Sequence, residues 1–140
     1  MSDLRRATTA DAAALQQLFQ TCRAEAVWLP KEARKNANFA EESQGETVLV
    51  AVDEAGAIVG LLSVFEPEAF VHHLYVRADW RRRGVGRALL AALEEILPPP
   101  WRLKCPPANV AAIRFYEAQG WREIARGESS WGKYVLFERA

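Results

Sequence analysis

Residues 70–97 read FVHHLYVRADWRRRGVGRALLAALEEIL, and three rhythms succeed one another within them. Phe70–Val76 is a short run of apolar, aromatic and β-branched residues, the composition of a strand. Arg81-Arg82-Arg83-Gly84-Val85-Gly86-Arg87 breaks that run with charge and two glycines. From Gly84 to Leu97 apolar residues return at helical spacing. Val85, Ala88, Leu89, Ala92, Leu93 and Ile96 share one face, and Pro98-Pro99-Pro100 ends the segment. Trp101–Cys105 reads as another strand. A strand, a helix and a further strand imply a parallel pair joined by a right-handed crossover.

Outward from this unit, Leu4–Ala7 reads as a short strand, and Thr8-x-x-Asp11 suits a helix N-terminus. Leu15, Leu18, Phe19 and Cys22 then form a buried stripe. Arg23 to Gln44 is poorly patterned, with Pro30 as a break and room for a short second helix. Thr47–Val52 and Ala57–Phe65 are strand-like and flank the turn Asp53-Glu54-Ala55-Gly56. Beyond the crossover, Asn109–Gln119 reads as a helix with Asn109 as N-cap and Gly120 just past its end. The remainder, through Tyr134–Glu138, closes as a β-hairpin. The expected fold class is α/β, a mixed sheet with helices on both faces. No linker or repeat interrupts it, so one domain over residues 1–140 is expected.

The 140 residues are half apolar, with 18 basic and 18 acidic side chains. Charges that cancel leave no global field toward nucleic acid or a membrane, so any anion site must be local. No apolar run approaches the roughly 20 residues that span a bilayer. The start, MSDLRRATTAD, lacks the apolar core of a secretory leader, which makes a cytoplasmic location the expectation. Cys22 and Cys105 have no CxxC or histidine at metal spacing, so two free buried thiols and no metal are expected.

The loop Arg81–Arg87 is the candidate for such a local anion site. Glycines let successive N–H groups converge, and the first N–H groups of the following helix lack intrahelical acceptors. A pyrophosphate is the expected guest. The loop is neither GxGxxG, since Leu89 stands at the third glycine position, nor GxxxxGK[ST]. Taken alone, it fits a solvated charge run as well as a phosphate site.

The second landmark is Asn109-x-x-Ala112-x-x-Phe115-Tyr116-Glu117-x-x-Gly120-Trp121. Together with Leu74-Tyr75-Val76 and Arg81-x-x-Gly84-x-Gly86, it resembles the GNAT superfamily of acetyltransferases, whose order of elements this chain follows over roughly residues 3 to 139. The resemblance implies a mostly antiparallel sheet of six to seven strands with a splayed parallel pair, Phe70–Val76 and Trp101–Cys105. It implies acetyl-CoA as co-substrate, lying in the splay along Leu74, Tyr75 and Val76. Leu74 and Val76 would pair with the pantetheine arm, while N–H groups of Arg82, Arg83, Gly84, Val85, Gly86 and Arg87, after Arg81, would bind the pyrophosphate. Asn109 matches a cofactor contact and Tyr116 the proton donor to the departing thiolate.

Acyl transfer to an amine also needs a proton acceptor, because an alkylamine with a pKa near 10 is almost wholly protonated at pH 7. Some members of the superfamily carry a glutamate six residues before the position of Val76; here Phe70 stands there. The arylalkylamine acetyltransferases carry a histidine at the position of His72, which shares a strand face with Phe70 and can take a proton directly or through water. His73 is expected on the opposite face, in a structural role, unless a bulge intervenes. Glu66 and Glu68 are alternative bases. The acceptor is expected to be a primary amine of a small molecule or peptide. The family places its pocket between the segment after the first helix and the C-terminal hairpin, here with Trp28, Phe39, Trp131, Glu25, Lys31, Glu32 and Lys35. Exposed aromatics there could instead form a homodimer contact. A competing reading is a non-catalytic acyl-CoA-binding or sensing module, although binding alone needs no proton donor such as Tyr116.

Overall fold

The computed structural model describes residues 3–35 and 37–140; Met1 and Ser2 of the leader reading, and Asn36 of the irregular segment, lie outside the described residues. The strands are β1 (Asp3–Arg6), β2 (Thr47–Val52), β3 (Ile58–Phe65), β4 (Phe70–Val76), β5 (Trp101–Cys105), β6 (Arg122–Ser129) and β7 (Gly132–Arg139). They form one mixed sheet in the order β1-β2-β3-β4-β5-β7-β6. Only the β4–β5 pair is parallel among the described residues. The expected strands therefore form, within a residue or so at their ends.

Helix α1 (Ala12–Glu25) begins after a capping turn in which the Thr8 N–H donates to the Asp11 carboxylate at 2.7 Å. Its stripe Leu15, Leu18, Phe19 and Cys22 is buried against Val50, Ile58 and Leu61. The irregular segment forms two short helices, α2 (Lys31–Lys35) and α3 (Phe39–Glu42), rather than one. On the other sheet face, α4 (Val85–Ala91) buries Val85, Leu89 and Leu90, and α5 (Val110–Ala118) packs Ala112, Ile113, Phe115 and Tyr116 beside it. The helix expected over Gly84–Leu97 is α only to Ala91 and tightens to a 3₁₀ turn over Ala92–Glu95. Residues before proline disfavour α geometry, and a tightened last turn satisfies the orphan carbonyls ahead of Pro98.

Two bulges redirect side chains within the sheet. Ala51 pairs with Gly60 while Val52 pairs with Ile58, leaving Val59 as the extra residue. Ser63 pairs with His73 while Val64 pairs with Val71, leaving His72 as the extra residue of β4. An extra residue bends its strand and strengthens the local twist.

Gly60, beyond the first bulge, faces α4. A Cβ there would lie 2.9 Å from Val85 Cγ1 and 3.3 Å from Leu89 Cδ1. Contacts that close force a stiff valine off its rotamer or push α4 away. Gly60→Ala is expected to destabilise the fold by about 1–3 kcal/mol, read as a lower urea midpoint at unchanged slope.

Candidate functional site

The parallel pair is short. β4 and β5 pair at Phe70 with Arg102 and Val71 with Leu103, and the pairing ends there. The strands part immediately after the bulged His72, where the added twist turns β4 from its neighbour. The Arg77 N–H donates to the Val59 carbonyl at 2.8 Å, so Arg77 faces β3. Main-chain groups alternate sides along a strand. Tyr75 therefore also faces β3, and the main-chain groups of Leu74 and Val76 face the gap. The Val76 carbonyl accepts from Arg81 Nε at 3.0 Å. Of the expected strand contacts, the structure brings Leu74 and Val76 to the open edge but not Tyr75. The Tyr75 side chain turns to the α1 side, and its hydroxyl oxygen accepts a hydrogen bond from Arg23 Nε at 3.0 Å.

The loop after β4 lies beside this gap. Arg82 and Gly84 both adopt left-handed backbone, with φ of 63° and 81°. Successive N–H groups in such a turn form an anion-binding concavity, and α4 begins directly after it. Gly84 caps α4 and Val85 is buried, so Val85 offers only its main chain. Arg81 reaches Glu25 at 3.5 Å, Arg83 lies 4.8 Å above the Trp80 ring, and Arg87 is exposed. Gly86 meets α5: a Cβ there would stand 3.2 Å from the Phe115 ring. The small residue is thus required for the loop and α5 to close on each other.

On α5, the Asn109 side chain accepts from the Ala112 N–H at 3.2 Å, which caps the helix and leaves its amide N–H groups free. At the other end Gly120, at φ 89°, lets the Trp121 N–H reach the Tyr116 carbonyl at 3.0 Å and the Gly120 N–H reach Glu117 at 3.1 Å. These are the two bonds of a Schellman motif, and its apolar contact joins Tyr116 to the buried Trp121, with ring centroids 6.0 Å apart. The Gly120-Trp121 pair therefore sets the position of Tyr116 in the cluster that also holds Leu74 and Val76. Burial raises the Tyr116 phenol well above its ordinary value, so it carries a proton at neutral pH.

His72 and His73 stand together rather than on opposite faces, because the bulge inserts a residue and resets the alternation. His72 is 42% exposed at its side chain, and its Nδ1 lies 2.7 Å from Glu46 Oε2. Glu46 also accepts from the Ser63 hydroxyl on β3. His73 is buried against Phe19 and Phe39, with ring centroids 5.1 Å and 5.7 Å away. Glu46, His72 and His73 place ligand atoms within 4.8 Å of one another. The two rings lie over each other, 4.0 Å apart with a 32° tilt, rather than converging edge-on, and His72 Nδ1 is already bonded to Glu46. Of the alternative bases, Glu66 accepts from the Thr47 hydroxyl and Glu68 stands on an exposed turn. Nothing in the sequence marks Glu46, a single acid before β2, or Ser63 within an apolar strand.

Arg23 was equally illegible. It is only 3% exposed, bonded to Glu42 at 2.8 Å and 3.3 Å and to the Ala33 carbonyl at 3.3 Å. Its guanidinium lies between the Phe19 and Trp131 rings, 4.5 Å from each. Beside it a cavity of about 360 Å³ is lined by Pro30, Glu32, Ala33, Glu42, Ser130 and Trp131. The expected segments, α2 and the β6–β7 hairpin, do border this space. Phe39 does not; it belongs to the core beneath α1.

A seven-stranded mixed sheet whose one parallel pair parts beside a glycine loop is the GNAT fold. The family model described as Acetyltransferase (GNAT) family matches residues 12–121, and the chain belongs to that family. The chain is similar to a ribosomal-protein-alanine N-acetyltransferase from Brucella melitensis (25% identity, TM-score 0.76, 98% of each chain covered). It is also similar to the ribosomal-protein-S18-alanine N-acetyltransferase from Escherichia coli (21% identity, TM-score 0.77, 99% of this chain and 93% of that one). A third likeness is to a phosphinothricin acetyltransferase from Sinorhizobium meliloti in complex with AcCoA (20% identity, TM-score 0.75, 99% of this chain and 87% of that one). No curated protein matches the sequence. No helix among the described residues is long and apolar enough to cross a membrane.

Burial pushes the His73 imidazole down from 6.5 to about 2, and His72 and Arg23 add to the effect. Unfolded His73 takes a proton below pH 6.5 that the native ring refuses, so stability falls as pH drops through that window. Unfolding in urea should show His73 contributing a loss of about 1–2 kcal/mol between pH 7 and pH 5. His73→Leu should flatten that part of the profile.

Proposed function

We propose that the chain is one N-acetyltransferase domain that moves the acetyl group of acetyl-CoA directly to a primary amine of a small molecule or peptide. The observation that carries this reading is the open edge of β4 at Leu74 and Val76, bordered by the Arg82–Gly86 turn and by Tyr116. These residues fit acetyl-CoA. The left-handed turn at Arg82 and Gly84 followed by the start of α4 suits a pyrophosphate. The main-chain groups of Leu74 and the Val76 N–H suit an amide-bearing arm laid along a strand edge. The Asn109 amide, whose oxygen alone is spent on the cap, is available as a further donor.

Acetyl-CoA supplies an acyl group activated as a thioester. The chain's own residues do the rest. N–H groups on the open edge of β4 polarise the carbonyl. His72 removes a proton from the acceptor nitrogen, directly or through water, as the nitrogen–carbon bond forms. Tyr116 gives its proton to the sulfur as the carbon–sulfur bond breaks, and its buried environment keeps that proton in place until then. No covalent enzyme species is needed. Family membership and the placement of Tyr116 favour transfer over an acyl-CoA sensor.

The cavity beside Arg23 lies where the acceptor would enter. Glu32 in its lining suits a cationic amine, whereas Glu42 and one face of Trp131 are engaged by Arg23, and an acceptor that presents its amine from a chain end can reach it. The test is thiol release from acetyl-CoA against polyamines, aminoglycosides, amino acids and peptides, including peptides that begin with alanine. One class should release thiol above the rate without acceptor. With that acceptor, Tyr116→Phe should lower kcat about 100-fold and leave the KM for acetyl-CoA nearly unchanged. Equal kcat for the two proteins would remove Tyr116 from the mechanism. Tight binding of acetyl-CoA with no release on any acceptor would favour the sensor.

A further inference from the structure

The His72–Glu46 contact carries more than the choice of a base. Glu46 stands just before β2, remote in sequence from β4, yet its side chain is only 7% exposed. Its two oxygens are divided: Oε2 lies 2.7 Å from His72 Nδ1, and Oε1 accepts from the Ser63 hydroxyl. Ser63 is fully buried on β3, opposite His73, so it clamps the carboxylate from within the sheet. The ring it holds belongs to the bulged residue, the one position of β4 that lacks a regular partner across β3.

We propose that Glu46 is a positioning residue that, clamped by Ser63, locks His72 in the tautomer with hydrogen on Nδ1 and so presents Nε2 as the base. This rests on the reading of His72 as the proton acceptor. An ionised carboxylate only accepts hydrogen bonds, so a favourable contact at 2.7 Å requires hydrogen on Nδ1. In the neutral ring the lone pair is then on Nε2, and which nitrogen is free is set by the bond the other makes. When Nε2 takes a proton, the ring gains a positive charge next to the carboxylate, which is already in place and needs no reorganisation. A side chain on a bulge, with no strand partner to hold it, otherwise loses rotamer freedom each time it must act. Ser63 and Glu46 remove that cost before the amine arrives. His73 cannot share the task, since its ring is sealed among Phe19 and Phe39.

The chain holds only two histidines, so ¹⁵N spectra of labelled imidazoles resolve His72 without acceptor or cofactor. In the parent protein at neutral pH, the neutral His72 ring should show a hydrogen-bearing Nδ1 and a bare Nε2. Glu46→Gln keeps the shape but offers a donor as well as an acceptor, and should lose this signature to a mixed or reversed one. Ser63→Ala leaves the carboxylate in place and should weaken the signature partially, a second variant that reads the same relay if Glu46→Gln folds poorly. Carbethoxylation by diethyl pyrocarbonate, followed by peptide mass, reads the bare nitrogen independently and should slow at His72 in Glu46→Gln. Thiol release from acetyl-CoA, with a screened amine or with water as acceptor, should fall about 10- to 100-fold in kcat for Glu46→Gln at similar KM for acetyl-CoA. A parent His72 with hydrogen on Nε2, or a signature and kcat unchanged in Glu46→Gln, overturns the inference. His72→Ala with unaltered kcat instead overturns the base assignment, even where the tautomer is as described.

Discussion

The single extra residue in β4 governs the site. Had β4 continued in register, its main-chain groups would have been consumed by β5 along the whole strand. A parallel pair buried on both faces offers a ligand nothing. Because His72 is unpaired, the strand twists away after Val71, and the main-chain groups of Leu74 and the Val76 N–H come free of strand pairing in the middle of the sheet. The cost of exposing a strand edge is contained by its shortness and by the helices on either side. The same insertion resets side-chain alternation, which is why two adjacent histidines occupy one face. One becomes an exposed group with an acidic partner, and the other becomes part of the core.

Around this opening, the elements are held by devices that act at close range. The Gly86 hydrogen leaves room for the Phe115 ring, and Gly60 does the same for Val85 and Leu89, so α4, its preceding loop and α5 all close on the sheet. The Schellman turn at Gly120 ties Trp121 beneath Tyr116. A phenol in such surroundings is a poor anion and a good proton reservoir. The left-handed residues Arg82 and Gly84 give the loop its concavity, while two of its four arginines have partners elsewhere: Arg81 with Glu25 and the Val76 carbonyl, and Arg83 with the Trp80 ring.

The side of the sheet that carries α1 and the cavity has a different character. Arg23 is the only buried cation on that face among the described residues, and it is braced by Glu42, Tyr75, Ala33 and two aromatic rings. Removing one partner of a buried ion pair is far more costly than the pair is worth. Arg23 therefore ties α1, α3, β4 and the C-terminal hairpin together and shapes one wall of the cavity. The open edge and the brace consequently share β4: Tyr75 anchors the brace on one face, while the main-chain groups of its neighbours Leu74 and Val76 face the gap.

The strand–loop–helix unit, the caps at Asn109 and Gly120, and the family signatures were legible in sequence, because each rests on local periodicity or on a residue with one conformational use. Those features determined the sheet with helices on both faces, the glycine loop before α4 and the place of Tyr116 on α5. The bulge was not legible, since a run such as Val71-His72-His73-Leu74 satisfies strand patterning with or without an inserted residue. The register that places His73 beside His72, turns Tyr75 to β3 and brings Glu46 and Ser63 to a histidine on β4 is a property of pairing between strands. Glu42 meeting Arg23 and Trp131 covering it depend likewise on segments far apart in the chain. Sequence alone determined the glycine loop, the helix that follows it and the caps of the next helix; tertiary structure decided which face His72, His73 and Tyr75 occupy and what holds them, because hydrogen-bond register between strands has no local signature.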